Sequence, residues 1–290
     1  MASLHAASPN TMSHTVSNLP IIFPRHAFFR IFAIMKRYGL IGKKLGHSWS
    51  KRWFDSMFAR HGICDAEYQI HELHDIGRIR QWASEENMSG FNVTIPYKES
   101  IIPFLDGLDA EALHIGAINC VEISGTKMIG HNTDAPAFTD TLRPLLQPWH
   151  THALVLGTGG AAKAVTYALR RLGIDSVLVS RFPNARHNTI SYDEALDAAT
   201  HTYLIVNCTP AGMYPHNHTS PWTQSPNLCD KHLCYDLVYN PPTTRFLQTA
   251  IDNGAAVANG LPMLERQAQL SWDIWRSSDP PRHGIPHAEQ

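Results

Sequence analysis

From Tyr38 onward, short apolar runs alternate with segments whose apolar residues recur at helical spacing. The first rhythm marks strands and the second amphipathic helices. Tyr38–Ile41 predicts a strand, and Ser50–His61 a helix that Ser50 is placed to cap, because a serine hydroxyl accepts from the free N–H groups of a first turn. Tyr68–His71 reads as strand, Ile76–Glu85 as helix, and Gly90–Thr94 as a strand stopped by Pro96. Residues 118–123 and 127–130 predict a hairpin around Ser124-Gly125. This alternation points to an open α/β sheet with mixed pairing.

A second series starts near residue 150. Ala153–Leu156 is an unbroken apolar run, as expected of a buried parallel strand. A helix over Ala161–Leu172 follows, then strands at Ser176–Val179, Tyr203–Asn207, Leu233–Leu237 and Ala255–Ala258, which together read as a βαβ series. Pro262–Trp275 predicts one amphipathic helix carrying Leu264, Ala268, Leu270, Trp272 and Trp275. A chain of 290 residues is long enough for two such α/β units.

Composition narrows the partners. Apolar residues make up 43% and charged residues 17%, enough apolar material for sizeable cores. Lys and Arg number 24 against 25 Asp and Glu, so the basic surplus of a nucleic-acid binder is missing. Cys64, Cys120, Cys208, Cys229 and Cys234 are odd in number and form no CxxC pair, which fits a reducing compartment and argues against a thiolate zinc site. No run approaches the roughly 18 apolar residues of a membrane helix. Residues 1–34 carry no Asp or Glu and are frequent in Ser, Thr, Asn, His and Pro. We read them as a disordered or non-native leader in preference to an organellar transit peptide, and expect a cytoplasmic protein that begins functionally at Met35.

After the strand at 153–156 comes Gly157-Thr158-Gly159-Gly160-Ala161-Ala162, a G-x-G-x-x-A pattern at a strand-to-helix turn. The first glycine permits the tight turn, the second lets a pyrophosphate approach the backbone, and the small last position lets helix and strand pack closely. The helix amino terminus adds free N–H groups and partial positive charge. At the end of the next strand stands Val179-Ser180-Arg181 with no carboxylate, and Asp175 precedes that strand at the other end. A carboxylate would repel a 2′-phosphate, whereas a guanidinium binds one bidentately, so the cofactor expected is NADP(H).

Several segments, in order, resemble the shikimate dehydrogenase family: Gly46-His47-Ser48-Trp49-Ser50, Gly90 to Lys98, Gly116-Ala117-Ile118-Asn119, Gly130-His131-Asn132-Thr133-Asp134, the glycine turn, Asn207 to Met213, Asp236 to Pro241, and Asn259 to Ala268. The resemblance covers about residues 36–275. It implies reversible NADPH-dependent reduction of 3-dehydroshikimate to shikimate, a step of aromatic amino-acid precursor synthesis. It also implies an α/β substrate domain over 35–135, joined by a returning C-terminal helix at 261–280, and a Rossmann-like NADP-binding domain over 136–260, with the active site in the cleft between them.

The same resemblance assigns roles. Lys98 would be the proton donor with Asp134 beside it. Ser48, Ser50 and Tyr239 would hold the substrate carboxylate, and Asn92, Thr94, Asn119 and Gln267 the ring. Gly157, Gly159, Gly160, Ala161, Ser180 and Arg181 would bind the adenosine and phosphate half of the cofactor. Thr209, Gly212, Met213, Gly260 and Met263 would border the nicotinamide half, although Met263 reads equally well as core. The chain departs from the pattern at Lys51, where proline is common, and at Ser180-Arg181-Phe182-Pro183, where Asn-Arg is usual. His71-x-x-His74 and His216-x-His218 lack a completing ligand, so no metal is expected. The expected partner is a small-molecule substrate, with no nucleic acid or membrane, and the expected assembly is a monomer or homodimer. A quinate/shikimate dehydrogenase using both cofactors and a non-catalytic ligand sensor remain as alternatives. Ser48, Ser50 and Arg181 speak against the first, and the presence of both Lys98 and Asp134 against the second.

Overall fold

A computed structural model of the protein describes residues 35–46, 49–184 and 188–277. The leader, Ser48 and Arg186 lie outside the described residues. The described residues form two six-stranded sheets, of which the first holds β1 (Lys36–Gly42), β2 (Ala66–Glu72), β3 (Met88–Val93), β4 (Gly107–Leu108), β5 (Cys120–Ser124) and β6 (Lys127–His131), in the order β2-β1-β3-β5-β6-β4. β1 is parallel to β2 and β3, and β5 is antiparallel to β3 and β6, so the pairing is mixed as the sequence predicts. Helices α1 (Trp49–Arg60), α2 (Ile79–Glu85), α3 (Tyr97–Ser100) and α4 (Ala110–Ile115) connect these strands. The helix expected over 76–85 opens with a separate 3-10 turn, Ile76–Arg78, because the Asp75 carboxylate accepts from the Gly77 N–H and caps that turn.

Helix α5 (Asp134–Leu142) leads away from β6. The second sheet follows, with β7 (His152–Leu156), β8 (Asp175–Val179), β9 (Thr189–Ile190), β10 (Leu204–Asn207), β11 (Leu233–Asp236) and β12 (Ala256–Ala258). Helices α6 (Gly160–Arg171), α7 (Tyr192–Ala198) and α8 (Arg245–Asp252) join them. The order is β12-β11-β10-β7-β8-β9 and all its pairs are parallel. Winding runs one way from β7 to β9 and the other way from β10 to β12. The carboxyl ends of β7 and β10 therefore flank a topological switch point, where open α/β sheets bind ligands. β10 is buried along its whole length and β7 along all but its first residue, which is why both read as apolar runs.

Helix α9 (Leu261–Ser277) returns to the first sheet. Trp275 stacks on Tyr38 with ring centroids 4.7 Å apart, and its Nε1 donates to the Val121 carbonyl at 3.0 Å. Gly90 permits this approach, since a Cβ there would stand 2.5 Å from Trp275 Nε1. One apolar cluster runs from Ile115 and Ala117 through α5 into α6 and β7, so the end of α4 packs into the core of the second sheet. Among the described residues no helix is long and apolar enough to cross a membrane.

Candidate active site

A cavity of about 710 Å³ opens where the carboxyl ends of both sheets face α9. Among its lining residues are Ser50, Asn92, Thr94, Lys98, Asn119, Asp134, Tyr239 and Gln267 from the expected substrate set. Ala161, Met213, Gly260 and Met263 line it from the expected cofactor set. A concave, largely apolar space with a few convergent polar groups is the usual form of a small-molecule site.

At its floor α3 presents Lys98 and the first residue of α5 presents Asp134. Lys98 Nζ donates to Asp134 Oδ2 at 2.6 Å, and the two side chains are only 16% and 8% exposed. Asp134 Oδ1 accepts from Asn119 Nδ2 at 2.9 Å, so both carboxylate oxygens are held. Asn119 is fixed in turn, because its Oδ1 accepts from the Thr133 N–H at 2.7 Å. Asn132 Oδ1 accepts from the Ala135 N–H, tying down the start of α5.

Asn92, Asn119 and Gln267 form one polar network. Asn92 Oδ1 accepts from the Tyr68 hydroxyl at 2.9 Å, and its Nδ2 donates to the Asn119 carbonyl and to Ser271 Oγ. Burial pushes the Tyr68 phenol well above its usual value and keeps it a donor. Gln267 Nε2 donates to the Leu264 carbonyl at 2.8 Å, which leaves one amide hydrogen for a ligand. Burial also raises the Tyr239 phenol, partly offset by the charge of Arg52. Ser50 differs from expectation: α1 already includes Trp49, so Ser50 lies inside the first turn, buried beside the cavity, and is not the capping residue.

The glycine turn meets the opposite wall at Ala161. Gly157 has φ 108°, a conformation only glycine adopts readily, and a Cβ there would meet Thr209 Cγ2 at 3.1 Å. A Cβ at Gly159 would meet nothing within 4 Å, and Gly159 offers no side chain to cap α6. Backbone N–H groups at the start of α6 are thus open to an approaching phosphate, and the residues present fit a dinucleotide. Gly160 does different work. A Cβ there would lie 3.0 Å from Lys98 Cβ and 3.3 Å from Ala117 Cβ, so its small size lets α6 close on α3.

Loop residues beyond β10 and β11 are shaped by a buried pair. Asn207 Nδ2 donates to Asp236 Oδ1 at 2.9 Å, and Asn207 Oδ1 accepts from both the N–H and the hydroxyl of Thr209. Burial raises the Asp236 carboxyl to about 6, against the hydrogen bonds from Thr244, the Val238 N–H and Asn207. Thr209 therefore spends its hydroxyl on the protein. Gly212 has φ 87° and its N–H donates to Thr219 Oγ1, so it sets the loop that exposes Met213. Met263 is both core and cavity wall. Ser180 and Arg181 stand just past β8 with Arg181 exposed, while Asp175 is the first residue of that strand, at its far end.

Among the described residues no group of three or more His, Cys, Asp or Glu is placed to hold a metal. His71 instead lies in β2, edge-on to Trp82 with centroids 5.0 Å apart. Sequence reasoning passed over Ser271, Thr133, Lys43 and Lys44. Lys43 and Lys44 line the cavity, and their signal is positional, directly past the carboxyl end of β1.

It also passed over a charged cluster two strands deep. His131 Nδ1 lies 2.7 Å from Asp109 Oδ2, and its Nε2 lies 3.1 Å from Glu122 Oε2. Burial works to lower the His131 pKa, and the bonds and charges of Asp109 and Glu122 outweigh it, so the net shift is upward. Burial works to raise Asp109, and the bonds from His131 and the Ala112 N–H overcome it, so that carboxyl sits low. A group raised above its unfolded value of 6.5 stabilises the fold fully below that pH, and loses this contribution as pH climbs through the folded value. His131→Asn is expected to lower Tm by about 2–4 °C near pH 5.5 and by clearly less near pH 9. Thermal melts of both proteins across that range check it, and a pH-independent difference would refute the charged pairing.

A dinucleotide turn on one wall and a half-buried ammonium on the other are what a nicotinamide-dependent dehydrogenase acting on a small polar molecule requires, and the protein is of that class. Residues 40–121 match the family model described as the shikimate dehydrogenase substrate binding domain. The NADP-dependent shikimate dehydrogenase of Caldicellulosiruptor saccharolyticus is 33% identical over 258 residues, covering 83% of this chain and 92% of that relative. That of Methanopyrus kandleri is 32% identical over 268 residues, covering 84% and 91%. The crystal structure of the Thermus thermophilus shikimate 5-dehydrogenase in complex with NADP(H) and shikimate superposes with a TM-score of 0.74 at 31% identity, covering 84% of this chain and 94% of that one. The chain belongs to the shikimate dehydrogenase family.

Proposed function

We propose that the protein reversibly reduces 3-dehydroshikimate to shikimate with NADPH. The observation that carries this reading is the Lys98–Asp134 bond of 2.6 Å at the cleft floor, beside the amino terminus of α6. The chemistry required of the cofactor is hydride exchange with the ring carbon that bears the ketone. Reduction leaves negative charge on the former carbonyl oxygen, and Lys98 Nζ donates the proton that neutralises it. Asp134 orients the ammonium through Oδ2, and Asn119 orients Asp134 through Oδ1. In the oxidising direction the amine of Lys98 takes the proton back from the hydroxyl.

Ser50 and Tyr239, with Ser48, supply hydroxyl donors for the substrate carboxylate. Asn92, Thr94, Asn119 and Gln267 serve the ring hydroxyls. Gly157, Gly159 and the start of α6 receive the pyrophosphate, with Ser180 and Arg181 at the 2′-phosphate. Thr209, Gly212, Met213, Gly260 and Met263 border the nicotinamide half. Residues 35–135 with α9 act as the substrate domain and residues 136–260 as the cofactor domain.

Nicotinamide absorbance followed with purified protein tests the reading. Shikimate with NADP should give the fastest turnover, and quinate or NAD a much slower one. Equal turnover of quinate with NAD would favour the quinate/shikimate alternative, and no turnover with any pair would end the proposal. Arg181→Ala should raise KM for NADP by about tenfold and leave KM for NAD nearly unchanged, since a charged hydrogen bond contributes about 1.5–3 kcal/mol. An equal change for both cofactors would remove the 2′-phosphate role.

A further inference from the structure

Past β8 the chain carries a side chain that no role above uses. Phe182 is 84% exposed, more than any other large apolar residue described; the next is Leu113 at 66%. A bare phenyl ring in water forgoes the favourable burial of its surface until a partner covers it. This ring does not sit on a frayed tip. The Phe182 N–H donates to Ser180 Oγ at 3.1 Å, and two residues later Thr189 Oγ1 donates to the Asn184 carbonyl at 3.0 Å. The turn is therefore pinned on both sides of Phe182.

Its place in the sheet says what would cover it. β8 lies beside β7 with Val179 paired to Leu156, and the Gly157 N–H donates to the Val179 carbonyl at 2.9 Å. Phe182 thus stands three residues beyond the strand that flanks the glycine turn. In a doubly wound sheet the pyrophosphate rests on that turn and the adenosine reaches across the carboxyl end of the neighbouring strand. Arg181 is a cation available to a 2′-phosphate there, and a flat, uncharged purine is the part of the cofactor that an uncharged ring can meet face to face.

We infer that Phe182 is the stacking platform for the adenine of NADP, so that at this position the chain binds the base through a ring and the 2′-phosphate through Ser180 and Arg181. The inference rests on the cofactor reading given above. Aromatic side chains stack on bases regardless of base-edge hydrogen bonding, so the platform adds affinity without selecting NADP over NAD. Cofactor choice stays with Arg181.

Isothermal titration of the full chain with 2′,5′-ADP, which carries the adenosine half alone, tests this without turnover. Phe182→Ala should raise Kd by about tenfold, within the range found when an aromatic partner of a stacked base is removed. Phe182→Trp should stay within about twofold of wild type, and Phe182→Leu should behave like the alanine variant, because it restores apolar bulk without a ring face. The side chain is exposed, so none of these changes threatens the fold. Wild-type affinity in Phe182→Ala, or full recovery in Phe182→Leu, overturns the stacking assignment and leaves the cofactor reading standing. No binding of 2′,5′-ADP by the wild-type chain overturns both.

Discussion

Lys98→Ala is expected to lower kcat by about three orders of magnitude while the protein stays folded and still binds shikimate. A positioned general acid contributes about 10²–10⁴ to rate, and among the described residues no other ammonium lining the cavity is held as this one is. Lys43 and Lys44 also line the cavity, but both are exposed. The fold should survive because Lys98 sits in a four-residue helix at the cleft floor, and its side chain belongs to no core cluster. Its removal leaves Asp134 Oδ2 without its cation, but Oδ1 keeps Asn119 and the carboxylate opens α5, where helix N–H groups favour negative charge. Tm should therefore fall only modestly. Added primary amines should restore part of the rate, since they can occupy the vacated space and carry the proton. Asp134→Asn should cost less than Lys98→Ala, because an amide oxygen can still accept from Nζ although the charge is gone. A Lys98→Ala variant that keeps more than about a tenth of wild-type kcat would show that the proton comes from elsewhere.

The physics of the chain made some of this legible and hid the rest. Strands β7 and β10 announce themselves as apolar runs because both of their faces are covered. The glycine turn announces itself because a positive φ at Gly157 and open space at Gly159 restrict the residue type. Local rules of this kind write themselves into contiguous sequence. The Lys98–Asp134 pair does not, since 36 positions separate its members and only the mixed first sheet brings them together. It came from the family resemblance, and the geometry agrees. Ser271 was invisible for a related reason. A serine on a helix is ordinary in sequence, and only the return of α9 onto the first sheet sets it 2.8 Å from Asn92. His131 was passed over as an arbitrary residue in a motif, because Asp109 and Glu122 reach it across strand neighbours. Ser50 shows the opposite failure: a correct local preference for serine at a helix start falls inside the first turn, because α1 already includes Trp49, and Ser50 borders the cavity instead.

Gly260→Ala is expected to cost about 3 kcal/mol or more of stability, which for a protein of this size lowers Tm by roughly 6–12 °C. A Cβ built there would fall 2.0 Å from the Leu237 carbonyl oxygen and 2.5 Å from its carbon. Both are backbone atoms at the end of β11, so no side chain can swing aside. The Gly260 N–H also donates to the Val238 carbonyl at 3.2 Å, and the Gly260 carbonyl accepts from the Leu264 N–H, so relief must break a bond that joins the 237–239 segment to the start of α9. By contrast, Gly46→Ala should melt like wild type, since a Cβ there meets nothing within 4 Å. The damage should also be specific in kind. Leu237, Tyr239, Gly260, Met263 and Gln267 all border the cavity, and parting the two segments moves a wall assigned to both ligands. KM for shikimate and for NADP should therefore rise together in the fraction that remains folded. If stability were lost without distorting the wall, active protein would fall in amount while both KM values held. A variant that melts within a degree or two of wild type would mean that the Leu237 carbonyl yields cheaply, and that glycine at 260 answers to a ligand and not to the chain's own backbone.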